Sequence, residues 1–530
     1  MLPSHIETEI TALNPKRVVG YDNIPPKILK ESISIVKEPL TQLFNTSINE
    51  CIFPSKLKFA NVSPLFKKDD NTIKENYRPI SILPVISKIF ERMILQQVSA
   101  FVINVISPFL CGFRKGYNTQ HVLLRLMNKL NTSLDKRQKV GLFMMDLSKA
   151  FDFVPHDLLI AKLDAYGFER DALQLIYSYL KDRKQRVKIN ADYSSWKEIF
   201  SGVPQGSVLG PLLFNLFLND IYFFVDKENL HNYADDNTLS VVDLEIEEII
   251  NRLEANINVL NSWFINNGMV LNGDKCQFVI IKSCRAELFR GEGSKTATIK
   301  VGNKTIEEQR NGKLLGITID KNINMAEHIR KLCKQAGIKL HALARISPYL
   351  NKHKRIILMK SFILSQFSYC PIIWMYCQRK SNNLINKIHE RALRIAYCDY
   401  VSDFEGLLAK DNSITIHERN IQALACEVYN TVNNLNPPFM REIFKIKAKK
   451  YTLRRPCLLS SILPRTVNYG LESFSYKATQ IWSSIPNDIQ MSNKTSIKRH
   501  IKDNRKVICK CNLCKLYIPN LGFIDNPIGP

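Results

Sequence analysis

The feature that most constrains this fold is an uncharged apolar run, Val140-Gly-Leu-Phe-Met-Met145, that stops abruptly at Asp146. A short apolar run of this kind reads as a strand buried on both faces. A sheet containing such a strand needs covering layers, so the neighbouring sequence must supply helices. Leu158–Leu180 has helical spacing interrupted at Gly167, and Ile246–Phe264 carries apolar residues at 246, 249, 250, 253, 257, 260 and 264. Arg186–Asn190 alternates like a strand, Leu230–Val242 reads as strand, tight turn at Asp235-Asp236, and strand, and Gln277–Lys282 and Lys313–Asp320 predict further strands. Upstream, the Pro-punctuated segment Leu13–Ser63 predicts short helices, Lys67–Asp70 a turn, and Ile80–Val98 a helix broken at Pro84. Beyond residue 321 the pattern is mostly helical to about 435, then basic and Pro-punctuated. The expectation is an α+β core between helical attachments.

Charge divides the chain. Residues 1–320 hold 40 basic and 36 acidic residues, whereas residues 321–530 hold 34 basic and 13 acidic. The last two-fifths therefore forms an electrostatic platform suited to a polyanion, either nucleic acid or an acidic membrane surface. With 45% hydrophobic and 23% charged residues, a wholly disordered or fibrous chain is excluded. Thirteen scattered cysteines without a signal peptide indicate free thiols in a reducing compartment. Ser361–Gln378 carries no charge, but it sits at the short limit of a membrane span and contains Ser365, Gln366, Ser368 and Pro371. It reads as a buried element, and no membrane partner is expected.

Three motifs carry chemistry. Asp146 ends the apolar strand, where a carboxylate is either a cap or a rigidly held metal ligand. Asp235-Asp236 is a repelling pair that a turn tolerates and a divalent cation would offset; successive side chains on extended backbone diverge, so the two should be unequal. Between them, Gly202-Val-Pro-Gln-Gly206 makes a defined loop, with Ser207 as a candidate N-cap and Pro211 in the first helical turn. Gly206, without a Cβ, allows close approach to a flat ligand.

In this order the motifs resemble a reverse transcriptase. Phe143-Met-Met-Asp146-Leu-Ser-Lys-Ala-Phe151-Asp resembles its first palm motif, Gly202-Val-Pro-Gln-Gly-Ser-Val-Leu-Gly-Pro211 the second, and Tyr233-Ala-Asp-Asp236 the third. Asn76-Tyr-Arg-Pro-Ile-Ser81, Gly112-Phe-Arg-Lys-Gly-Tyr-Asn-Thr-Gln120 and His156-Asp-Leu-Leu-Ile-Ala-Lys-Leu163 are similar to the non-LTR, LINE-type retrotransposon enzymes of the jockey/CR1-like group. A weaker likeness continues at Ser473-Phe-Ser-Tyr476 and Ile481-Trp-Ser-Ser-Ile-Pro486.

That resemblance implies a right-hand polymerase: a helical extension at 1–60, fingers and palm at 61–320, a helical thumb or connection at 321–435, and a mainly helical basic C-terminal region at 436–530. It implies two Mg²⁺ ions, with Mn²⁺ as a substitute, held by Asp146, Asp235 and Asp236. It implies that Phe151 stacks under the incoming sugar and rejects a 2′-hydroxyl, that Lys67 or Lys68 with Arg78 grips the triphosphate, and that Gln205 and Gly206 lie under the template–nucleotide pair. Lys275 matches the region proposed to protonate the leaving pyrophosphate, and Leu314, Leu315 and Gly316 the strand that grips the primer. RNA template, DNA primer or target, and dNTPs are the implied partners, and the nucleus the implied location. Relatives often carry an upstream endonuclease; here the chain starts almost at the polymerase, so nicking is expected to come from elsewhere. The alternative is an inactive or truncated remnant that only binds nucleic acid. In the tail, Cys509-Lys-Cys511-Asn-Leu-Cys514, with His500 upstream, departs from regular zinc-site spacing.

Overall fold

The computed structural model describes residues 1–67, 70–147, 150–283, 296–446, 459–460, 463–504 and 508–514. Its strands are β1 (Phe59–Phe66), β2 (Tyr77–Ile82), β3 (Lys139–Met145), β4 (Arg183–Ile189), β5 (Asp192–Tyr193), β6 (Lys197–Ile199), β7 (Leu230–Tyr233), β8 (Asp236–Asp243), β9 (Gln277–Ile281), β10 (Thr298–Val301), β11 (Lys304–Glu307), β12 (Asn311–Leu314) and β13 (Ile317–Asp320). With helices before, between and after them, the fold is α+β, as expected. The chain divides into two interleaved units.

The first unit comprises Met1–Phe113, Met145–Lys227 and Asn256–Asp274. Its sheet runs β2-β1-β4-β5, with β6 also on β4. β1 and β2 are antiparallel from Asn61↔Ile82 to Phe66↔Tyr77, while β1 and β4 are parallel. Pro64 lies opposite Pro79, so two residues without an N–H face each other across the ladder. The expected helix over Ile80–Val98 is corrected here: Ile80–Ile82 completes β2, and the helix runs Val85–Phe101. Pro84, extended at the N-cap, starts that helix rather than breaking it. The core stacks Phe44 and Phe53 on Phe90 at centroid distances of 4.4 and 5.1 Å. The predicted helices around Gly167 are His156–Ala165 and Arg170–Leu180, and Gly167 itself is left-handed.

The second unit comprises Arg114–Met144, Glu228–Ala255 and Lys275–Pro530. Its sheet runs β7-β8-β3-β9. Every residue of β3 from Val140 to Met145 is buried, as the apolar run requires. A Cβ on Gly141 would stand 2.3 Å from Ile249 Cγ2 and 2.7 Å from Leu253 Cδ1, so the helix seats directly on the strand where a side chain is missing. The single strand expected over Lys313–Asp320 is a hairpin instead: β12 and β13 pair about Leu315-Gly316. Both turn residues have positive φ, +46° and +81°, the primed-turn geometry that matches strand twist. A Cβ on Gly312 would fall 2.5 Å from Met144 Cε, so this hairpin packs on β3.

Beyond residue 321 the unit is helical, including Ala326–Ile346, Arg379–Tyr397, Ile416–Val432, Phe474–Ser484 and Lys494–Asp503. The uncharged segment 361–378 is short broken turns with Phe367, Ile372 and Trp374 buried. Among the described residues no helix is long and apolar enough to cross a membrane. Buried His121 meets Glu427 at 2.8 Å, and the Asp135 carboxylate accepts the N–H groups of Arg465 and Thr466. The basic C-terminal part is thus built into this unit's core.

Candidate active site

Asp146 is the residue that follows β3, so the buried strand fixes its backbone. Its carbonyl accepts the Asn272 N–H at 2.8 Å, and Leu147 bridges Leu271. The Asp146 side chain is half-buried. Downstream, Phe151 stacks on Phe214 at 4.1 Å and meets Phe113 edge-on at 5.6 Å. Its plane is therefore set by two aromatic neighbours rather than by solvent.

The Gly202–Gly206 loop is held from both sides within the first unit. On one side, Gly202 N–H donates to Val154 O, Val203 N–H to Phe151 O, and the His156 ring meets Gly202 O at 2.8 Å. Gln205 Nε2 donates to Asp152 Oδ1. On the other, Ser81 N–H of β2 donates to Gln205 O at 2.7 Å. Gly206, at φ +121°, comes so close that a Cβ would lie 2.6 Å from Ser81 O. Only glycine fits there, on conformation and on space. Ser207 Oγ accepts the Gly210 N–H, but the helix is Gly210–Leu218, so Ser207 caps from three residues before its start.

The sequence reading missed Glu91. Fully buried, it accepts the N–H groups of Val208 and Leu209 at 2.6 and 3.1 Å and the Ser87 hydroxyl at 3.2 Å. Burial pushes its carboxyl pKa up, against the neighbouring Arg183 charge and these hydrogen bonds. An acidic residue in an amphipathic helix carries no signal that its target is a loop 117 residues away.

In the second unit the β7–β8 register pairs Tyr233 with Asp236. The turn is therefore Ala234-Asp235, one residue earlier than expected, and Asp236 already belongs to β8. Asp235 thus lies in the turn and Asp236 in the strand, and both are exposed. Ala234 sits at φ +55°, a position that hairpins usually give to glycine. Two buried asparagines hold that turn. Asn232 Nδ2 donates to Ala234 O and Asn237 Oδ1, both at 2.9 Å, and Asn237 Nδ2 donates to Asp235 O at 3.2 Å. Their symmetric flanking of Tyr-Ala-Asp-Asp was the available clue. Lys129 Nζ donates to Glu228 O, Asn229 Oδ1 and Ser240 O, clamping the hairpin's other end. Nearby, burial holds the His231 imidazole well below its usual pKa, and it bonds Ser240 Oγ at 2.9 Å.

Lys67 and Arg78 share the β1–β2 hairpin, where Arg78 lies opposite Leu65 and Lys67 N–H donates to Asn76 O. Both side chains are exposed; Lys68 lies outside the described residues. Lys275 is exposed just before β9. Leu314 ends β12, while Leu315 and Gly316 form the turn, so the expected gripping strand is a hairpin tip. Leu315 O accepts the Tyr369 hydroxyl at 2.7 Å.

Residues 66–319 match the family model for reverse transcriptase (RNA-dependent DNA polymerase). The chain is 28% identical over 409 residues to a probable RNA-directed DNA polymerase from transposon BS of Drosophila melanogaster, which covers 74% of this chain and 44% of that one. It is 26% identical over 403 residues to the RNA-directed DNA polymerase from mobile element jockey of the same organism, covering 73% and 43%. A solved structure of apo telomerase from Candida Tropicalis is similar at TM-score 0.37 and 11% identity, over 71% of this chain and 64% of that one. The chain spans less than half the length of the curated relatives it matches.

Proposed function

We propose that the chain, whose residues 66–319 match the reverse transcriptase family model, is a non-LTR retrotransposon reverse transcriptase with a right-hand polymerase fold that copies RNA into DNA. The observation that carries the reading is the sheet order: the strand leading into Asp146 is the direct neighbour of the strand that begins at Asp236.

Enzymes of this family generally use divalent metal ions. In our reading Asp146, Asp235 and Asp236 hold two Mg²⁺ ions. The donor set fits, because carboxylate oxygens are the hard ligands Mg²⁺ selects, and adjacent exposed aspartates repel unless a cation lies between them. Metal held by these carboxylates would supply polarisation of the primer 3′-hydroxyl and compensation of the charge on the departing pyrophosphate. The chain's own groups do the rest by positioning. Lys67 or Lys68, together with Arg78, grips the triphosphate, Arg78 through its planar fork. Phe151, fixed by Phe113 and Phe214, walls off a ribose 2′-oxygen. The Gln205-Gly206 backbone, anchored to β2, supports the templating pair. In this reading Lys275 donates a proton to the leaving pyrophosphate, and the Leu314–Gly316 tip contacts the primer.

In the same reading residues 61–320 are fingers and palm, 321–435 thumb, and 436–530 a basic region that grips the template–primer duplex through its phosphates. RNA template, DNA primer or target, and dNTPs are its partners, and the nucleus is its site of action. The test is extension of a DNA primer annealed to RNA, with dNTPs and Mg²⁺, followed by sequencing of the product. A product complementary to the RNA supports the proposal. Folded protein that binds the duplex and extends nothing favours the nucleic-acid-binding remnant.

A further inference from the structure

Within the second unit, the chain gathers one imidazole and three thiols. His417 lies in the first turn of the helix Ile416–Val432. The ligand atoms of His417, Cys509, Cys511 and Cys514 all lie within 4.8 Å of one another. His417, Cys509 and Cys511 are buried and Cys514 is partly so. All three cysteines are free thiols.

We propose that His417, Cys509, Cys511 and Cys514 form a structural zinc site that staples the C-terminal segment to this helix. Four protein ligands of the Cys₃His type make a closed tetrahedral set, the pattern of structural rather than catalytic zinc. Zn–S bonds of about 2.3 Å and Zn–N bonds of about 2.0 Å put neighbouring ligand atoms roughly 3.6–3.8 Å apart. The His417 Nε2 to Cys511 Sγ distance is 3.3 Å and the widest separation in the set is no more than 4.8 Å, so an ion fits with shifts of well under a bond length. The histidine is already oriented. Its Nδ1 lies 3.2 Å from the buried Met375 carbonyl, which fixes that nitrogen as the N–H donor and leaves Nε2 toward the sulfurs. A backbone carbonyl behind a ligating imidazole is the common outer-shell arrangement at zinc. Buried Lys477 reaches the carbonyl of Lys510, between the first two cysteines, and pairs with Glu472 at 3.2 Å, which holds that backbone in place.

This placement explains why spacing alone was uninformative. The cysteines sit in an irregular CxCxxC, and the nearest upstream histidine is His500. His500 belongs to the helix Lys494–Asp503, where its ring lies by Asn504. The fourth ligand comes instead from 92 residues before Cys509, through the fold. Binding would require release of the thiol protons, so the site forms best at neutral pH or above and couples to docking of the tail.

Zinc content is read without any synthesis assay, so this inference and the polymerase reading fail or stand separately. The full chain, purified from zinc-supplemented medium under reductant and without chelator, is assayed for metal by mass spectrometry. About one zinc per chain is expected in the wild type and in His500→Ala, with loss of at least about four-fifths in Cys511→Ser and His417→Ala. Exchange of the wild type with Co²⁺ should give the intense visible bands of a tetrahedral thiolate site, which decides the matter even if the variants do not fold. Zinc-free wild type with no such cobalt spectrum would overturn the proposal. So would a Cys511–Cys514 disulfide found in protein alkylated before denaturation, or equal metal loss in His500→Ala and His417→Ala.

Discussion

Gly206→Ala separates the effect of loop geometry from that of general stability. Gly206 sits at φ +121°, a region open almost only to glycine, and an added Cβ would approach Ser81 O to 2.6 Å. The backbone strain costs about 1–3 kcal/mol. The clash is with backbone, and relieving it disturbs the adjacent Ser81 N–H to Gln205 O bond, worth about 1 kcal/mol. A local penalty of about 2–4 kcal/mol exceeds what the loop can absorb while keeping its shape. The control is Gly302→Ala, also left-handed at φ +57° but with nothing within 4 Å of the new Cβ. It should cost only about 1 kcal/mol, as global stability. Thermal unfolding and single-nucleotide incorporation are measured on both variants. Gly206→Ala should slow incorporation at least about tenfold, since 1.4 kcal/mol of lost positioning already suffices. Gly302→Ala should lower the melting temperature slightly and leave the rate alone. A wild-type rate in Gly206→Ala would refute the claim that this loop's shape serves catalysis.

Other perturbations test separate parts. Asn237→Leu removes the bonds from Asn237 to Asp235 O and Asn232, and should cut incorporation by about tenfold or more while RNA affinity stays within a few-fold, as read by filter binding. Phe151→Val should admit ribonucleotides, measured as the ratio of dNTP to rNTP incorporation; an unchanged ratio would remove Phe151 from that role. Burial drives His328 and His389 from the usual imidazole value to about 4, so both are neutral in the folded state. Their folded pKa values lie below the unfolded ones, so the stability they contribute is present above about pH 6.5 and is lost as pH falls toward 4. The melting temperature should drop across that window, and His328→Phe should flatten part of the drop. Neutralising Lys494, Lys498 and Arg499, all exposed on the helix Lys494–Asp503, should reduce the salt dependence of duplex binding by up to about one unit of slope each. Removal of residues 440–530 would be a poorer test, because Phe474, Trp482 and Ile497 are core residues.

What the sequence made legible follows the range of the forces involved. The run Val140–Met145 declared a buried strand because burial on both faces admits no polar residue, and β3 is that strand. Gly167 separated two helices because a left-handed residue ends a helix locally. The errors lie where a local signal was ambiguous by one or two residues. Pro79 and Pro84 both punctuate, but one sits opposite a proline in a ladder and the other caps a helix. Leu315-Gly316 interrupts what looked like one strand, and its leucine adopts a conformation that propensity argues against. The hairpin turn lies at Ala234-Asp235 because the Asn232–Asn237 bond sets the register, which composition does not show. Long-range partners were invisible for a different reason. Glu91 under the Val208 and Leu209 N–H groups, and His417 beside the tail cysteines, are joined by the folded chain across long stretches of sequence. The motif residues Asp146, Asp235, Asp236 and Gly202–Gly206 were identifiable from order and spacing, while the groups that hold them in place were not.

The central claim is that Asp235 serves a catalytic metal centre rather than shaping a turn. The direct measurement is the initial rate of RNA-templated dNTP incorporation by Asp235→Asn beside the wild type, with duplex affinity and melting temperature measured on the same preparations. Loss of synthesis by at least about a thousandfold, with affinity within a few-fold and an unchanged fold, is the predicted result. Near-normal synthesis by Asp235→Asn would contradict the account.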